Sequence, residues 1–121
     1  MCKILKFGFF SIYLLFISCT NDSSNDLLEQ ELLTESVNYI KNVKPIIDAN
    51  CISCHAAVPI SGASTSLVTY NQVKNAIEEQ GLIQRITLQM GQSGFMPQGN
   101  ARLPQSKIDI IVKWQAEGFE E

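Results

Sequence analysis

Histidine is almost absent from this chain: His55 is the only one in 121 residues. Tryptophan is also single, and the four cysteines fall as Cys2 and Cys19 near the start and one tight pair, Cys51 and Cys54. With one imidazole and one C-x-x-C, a tetrahedral zinc site comes up one ligand short. The missing second histidine also argues against acid–base chemistry of the peroxidase kind. Basic residues are few, 9 against 12 acidic, which argues against nucleic acid as a partner, since that requires a basic face. No segment alternates as a half-buried strand does, and no internal repeat is visible. The apolar run Phe7 to Ile17 falls short of the about 20 residues that a membrane-spanning helix needs.

What the chain does have is concentrated in Cys51-Ile52-Ser53-Cys54-His55. The only histidine stands directly behind the only C-x-x-C. C-x-x-C-H is the attachment signature of a c-type haem. The two thiols can each form a thioether to a haem vinyl group, and His55 can then serve as the proximal iron ligand. A redox dithiol is the competing reading of Cys51 and Cys54, but it expects a βαβ pattern, which is not seen here. Half of a zinc site, and two buried thiols beside a core histidine, compete with it as well.

The N-terminus reads as an export signal over residues 1–18. Lys3 and Lys6 make a positive start, an apolar stretch follows, and the segment closes on Leu15-Phe16-Ile17-Ser18-Cys19. A small residue before cysteine resembles the lipobox of bacterial lipoproteins, which implies lipidation of Cys19; Phe16 replaces the usual leucine. An ordinary signal peptide or a retained anchor helix would also account for the segment. Residues 19–35, rich in Asn, Asp, Ser and Glu, read as a flexible tether. The domain, residues 36–121, is then expected outside the cytoplasm, on a membrane lipid anchor facing the periplasm. Without Lys3 and Lys6 the net charge goes from −3 to −5.

Within the domain, periodicity predicts a helix over residues 36–49, with Val37, Ile40, Val43, Ile46 and Ile47 inward and Pro45 kinking or restarting it. A loop follows over 56–69. A second helix is expected over 70–80, capped by Thr69 and stopped by Gly81. A third is expected over 82–90, with Leu82, Ile83, Ile86 and Met90 inward, then a Gly-rich loop over 91–102. Pro104 opens the last helix, with Ile108, Ile111, Val112 and Gln115 on one side and Trp114 at its edge; Gly118 ends it.

With no other histidine, methionine is the natural candidate for a second iron ligand; the alternative is a methionine that covers the haem edge and leaves the iron open. Met96, in Gly94-Phe95-Met96-Pro97, stands on a loop that can swing over a haem; Met90, at core spacing, is the fallback. Val58, Ile60, Leu67, Tyr70, Ile86, Phe95 and Leu103 are candidate walls. Arg85 or Arg102 is the candidate partner for a haem carboxylate.

Pro45-Ile46-Ile47-Asp48-Ala49-Asn50 leading into the C-x-x-C-H resembles the opening of small class I cytochrome c domains, of the kind common in exported proteins of Bacteroidota and Planctomycetes. Gly94-Phe95-Met96-Pro97, then Leu103, the run Ile108 to Trp114 and Gly118, are similar to their methionine loop and C-terminal helix. The resemblance covers residues 43–119. It implies an all-α, cytochrome c-like fold around one covalent haem, with the terminal helices packed together. His55 and Met96 would be axial ligands and Cys51 and Cys54 the thioether anchors. Many members hold the imidazole through the carbonyl of a proline further along the loop; here Pro59 stands only four residues after His55, so that acceptor is unassigned. The implied function is electron transfer with redox partner proteins rather than enzymatic catalysis. A haem-based sensor with an open distal site and a haem-free thiol–disulfide protein are the rival functions.

Overall fold

A computed structural model of the chain describes residues 35–121. The signal segment, Cys19 and all but the last residue of the tether lie outside this range. Among the described residues the regular elements are all helical, with no strand. A π-helical turn, Tyr39–Val43, runs directly into α1 (Lys44–Asn50). The remaining elements are α2 (Tyr70–Glu79), α3 (Leu82–Thr87) and α4 (Gln105–Ala116). Helix α4 packs against both the π turn and α3, and α3 packs against α2.

Pro45 restarts the first helix, as its chemistry requires. It lies in the opening turn of α1, where its missing N–H leaves no intrahelical bond unmade. The preceding turn widens, with the Lys44 amide donating to the Tyr39 carbonyl. In a wider turn a three-residue step no longer returns to the same face, whereas a four-residue step does. Tyr39, four before Val43, is therefore buried, and Ile40, expected inward, is 57% exposed.

Helix α2 begins with a capping box. The Thr69 hydroxyl accepts from the Gln72 amide, and the Gln72 side chain accepts from the Thr69 amide. Gly81, at φ +68°, separates α2 from α3 in a left-handed conformation that a glycine adopts without strain. Helix α3 stops at Thr87, three residues before its expected end. The Thr87 hydroxyl donates back to the Ile83 and Gln84 carbonyls, at 3.0 and 2.9 Å. It thereby takes the place of the Leu88 amide at the Gln84 carbonyl, and Leu88 turns extended. Met90 is consequently off the helix and 67% exposed, not part of the core.

The last helix is rotated relative to its expected face. Ile108, Ile110, Ile111 and Trp114 are buried, whereas Val112 and Gln115 are exposed. The cause is an aromatic cluster around the fully buried Trp114, which meets Tyr39, Tyr70 and Phe119 at ring-centroid distances of 5.4, 5.6 and 4.9 Å. Its indole N–H donates to the Glu120 carbonyl at 2.7 Å, and the Tyr70 hydroxyl donates to the Phe119 carbonyl at 2.7 Å. Phe119 is brought there by a Schellman turn: its amide reaches the Trp114 carbonyl, and that of Gly118 reaches Gln115. The two ends of the domain are then tied together, with the Tyr39 amide on the Glu120 carbonyl and the Val37 amide on the Glu117 carboxylate.

Trp114→Ala is expected to cost about 3–5 kcal/mol in denaturant unfolding, as for other fully buried large side chains. Val112→Ala, on the exposed side of the same helix, is expected to change stability by about 0.5 kcal/mol or less. Equal costs would mean that α4 presents the other face.

Candidate functional site

The Cys51–His55 segment continues the turn of α1 rather than leaving it. The Cys51 amide donates to the Ile47 carbonyl at 2.8 Å, and the His55 amide donates to the Cys51 carbonyl at 2.9 Å. Both thiols are free and partly buried. Burial pushes the Cys51 thiol up to about 11, the opposite of what activates a redox nucleophile. Among the described residues, no group of three or more His, Cys, Asp or Glu side chains converges into an ion-binding cluster.

His55 is held at three points. Besides its amide, its carbonyl accepts from the Leu67 amide at 2.9 Å. Its ring Nδ1 lies 2.8 Å from the Thr65 carbonyl oxygen. A carbonyl can only accept, so Nδ1 carries the proton and, in the neutral ring, Nε2 keeps its lone pair. The Thr65 carbonyl is thus the acceptor for the imidazole N–H that residue order leaves unassigned. No sequence signal could have found it, because every residue carries a carbonyl and only the path of the chain selects one.

Met96 is fixed from the other loop. Its amide donates to the Arg85 carbonyl at 3.1 Å, satisfying one of the carbonyls left open at the end of α3. Phe95, buried beside it, anchors the loop, and its amide bonds to the Gln92 carbonyl. Met96 itself is half-buried against the core.

These two loops meet at one cavity of about 700 Å³, within the range typical of ligand and cofactor pockets. Cys51, Cys54, His55, Met96 and Pro97 all line it, with Leu67, Leu82, Ile86 and Leu103 as apolar wall. Among the described residues, Arg85 is the only Lys, Arg, Asp or Glu that lines it. The other expected residues lie elsewhere. Val58 and Ile60 are exposed, Phe95 is buried outside the lining, and Tyr70 belongs to the aromatic cluster. Met90, the fallback ligand, does not line the cavity and is exposed. Arg102 also does not line it; its guanidinium donates instead to Gln105 Oε1 at 2.8 Å. Leu82, which sequence periodicity marks only as core, is part of the wall.

The comparisons return no family model, no curated protein and no solved structure that matches this chain.

In the haem-free chain the raised Cys51 thiol sets a pH dependence. The folded state holds that proton to about 11, against an ordinary value of 9.0, so between these two values it binds more protons than the unfolded state. Stability is therefore expected to fall as pH rises from about 9 to about 11. In a Cys54→Ser background, alkylation of Cys51 should be slow at neutral pH and accelerate through the same window. Fast alkylation near neutrality would mean that the thiol is not buried as described.

Proposed function

We propose that the cavity holds one covalently attached c-type haem and that the chain is a one-electron carrier rather than an enzyme. Its place is outside the cytoplasm, anchored to a membrane by lipid on Cys19, where it exchanges electrons with redox partner proteins. The proposal rests above all on one arrangement. The C-x-x-C-H segment and Met96, far apart in the chain, line the same cavity, and the His55 ring is already oriented through Nδ1.

The residues fit such a group. Cys51 and Cys54 supply the two thiols for thioether attachment, His55 the proximal nitrogen through Nε2, and Met96 the second ligand. When bound, the haem supplies a ferric–ferrous couple. The Thr65 carbonyl fixes the imidazole tautomer and raises its basicity, as partners of ligating histidines do. Leu67, Leu82, Ile86 and Leu103 make the surroundings apolar, which disfavours the extra charge of the ferric state; the Met96 thioether acts in the same direction. Arg85, the single charged side chain on the wall among the described residues, offers a positive charge for a haem carboxylate. The cavity is lined by the end of α1, by α2, α3 and the two loops, and a haem held there would complete a cytochrome c-like fold.

The test is an optical spectrum of the protein exported alongside haem-maturation machinery, oxidised and reduced. Low-spin c-type bands are expected, with a sulfur-to-iron charge-transfer band in the ferric form. Met96→Ala should abolish that band and let the reduced protein bind carbon monoxide, whereas Met90→Ala should leave both properties unchanged. If the unaltered protein is high-spin and binds carbon monoxide, it is a ligand-binding or sensing domain instead. A colourless protein with reversible Cys51–Cys54 chemistry would overturn the haem altogether.

A further inference from the structure

The Thr65 carbonyl can hold the His55 ring only if residues 65–69 are themselves held, and one side chain does most of that holding. Gln72, in the first turn of α2, turns its Oε1 to this segment. That oxygen accepts from the Val68 amide at 3.0 Å, the Thr69 amide at 3.0 Å and the Ser66 hydroxyl at 3.2 Å. The two amide donors identify the atom as oxygen, since the amide nitrogen of the side chain cannot accept. The segment is thus clamped from both sides. Thr65 and Leu67 bond to His55. Ser66, Val68 and Thr69 bond to Gln72. With the Gln72 amide on the Thr69 hydroxyl and the Val73 amide on the Thr69 carbonyl, these contacts join the loop carrying the acceptor to α2, and only those of Oε1 reach back to Ser66 and Val68 among the described residues.

We propose that Gln72 is a positioning residue for His55, acting through residues 65–69 to fix the Nδ1–H tautomer and the ring orientation. Its consequence for electron transfer rests on the haem reading above; its effect on the imidazole does not. Loss of the Gln72 acceptor frees the segment, lengthens the contact between His55 Nδ1 and the Thr65 carbonyl, and makes the ring a poorer donor through Nε2. A weaker donor stabilises ferric iron less.

The test uses the full chain without haem, then the haem-loaded protein. In the haem-free chain, nitrogen chemical shifts at mildly alkaline pH report the His55 tautomer, and solvent exchange reports the Nδ1 proton. Gln72→Ala is expected to convert a single Nδ1–H tautomer into a mixture and to speed exchange of that proton by about tenfold or more. Gln72→Glu keeps an acceptor at the same place and should restore the original state. Thr69→Ala is the control for helix stability. It removes the hydroxyl that accepts from the Gln72 amide at 3.3 Å and weakens the same cap, but it leaves Oε1 in place, so the tautomer should not change. In the haem-loaded protein, Gln72→Ala should shift the ferric–ferrous equilibrium severalfold toward ferrous, with Gln72→Glu close to the unaltered protein. An unchanged tautomer and exchange rate in Gln72→Ala, or equal changes in Thr69→Ala, would overturn the proposal. Failure of the unaltered protein to take up haem would overturn the carrier function instead, while the haem-free measurements would still decide the role of Gln72.

Discussion

Two hydrogen bonds between His55 and the segment beyond it organise this domain. The Leu67 amide on the His55 carbonyl and the His55 ring on the Thr65 carbonyl close a loop of about a dozen residues back onto the end of α1. That closure turns a polar, Ser- and Gly-containing stretch into a cavity wall, and it fixes where α2 can start. Thr69 then caps α2 and Gln72 ties the segment to it. Gly81 turns the chain into α3, and α3 offers the carbonyl on which Met96 hangs. Each step hands a backbone group left open by one element to the next.

The division of labour is uneven. The helices supply a frame whose apolar contacts centre on Trp114 and on the isoleucines of α4, at the end where Tyr39 meets Glu120. The chemistry-bearing side chains are held by loops whose backbone groups bond to other elements. Such loops place functional groups more tightly than their lack of regular structure suggests, because buried amides and carbonyls must find partners. A domain of this size has a small core, and its cavity of about 700 Å³ lies between elements that would otherwise pack. A covalently held porphyrin, on the function proposed here, would fill that space and add the apolar nucleus that a short chain cannot build alone.

Much of the frame is legible from residue order. The four helical segments, the cap at Thr69, the turn at Gly81, the restart at Pro45 and the stop at Gly118 follow from local chemistry that acts over three or four residues. The departures share a cause. Spacing alone puts Ile40 and Val112 inward, but a widened turn before Pro45 and the pull of Trp114 rotate both faces. The third helix ends early because one hydroxyl competes for its carbonyls. Spacing gives a face only when the turn is regular and the neighbours are neutral to its rotation.

The sequence by itself determined which atoms are available: two thiols three apart, one imidazole behind them and a methionine on a glycine-rich loop. It also determined that the domain is helical, because its apolar residues recur at helical steps and nowhere alternate. Only the tertiary structure decided which of these groups share a cavity, that Met96 and not Met90 reaches it, and that Arg85 and not Arg102 stands on its wall. It alone selected the Thr65 carbonyl and the Gln72 side chain as supports for the ring. The reason is physical. A side chain's identity is local and can be read along the chain, whereas the partner of a backbone carbonyl depends on the path of every segment between the two groups.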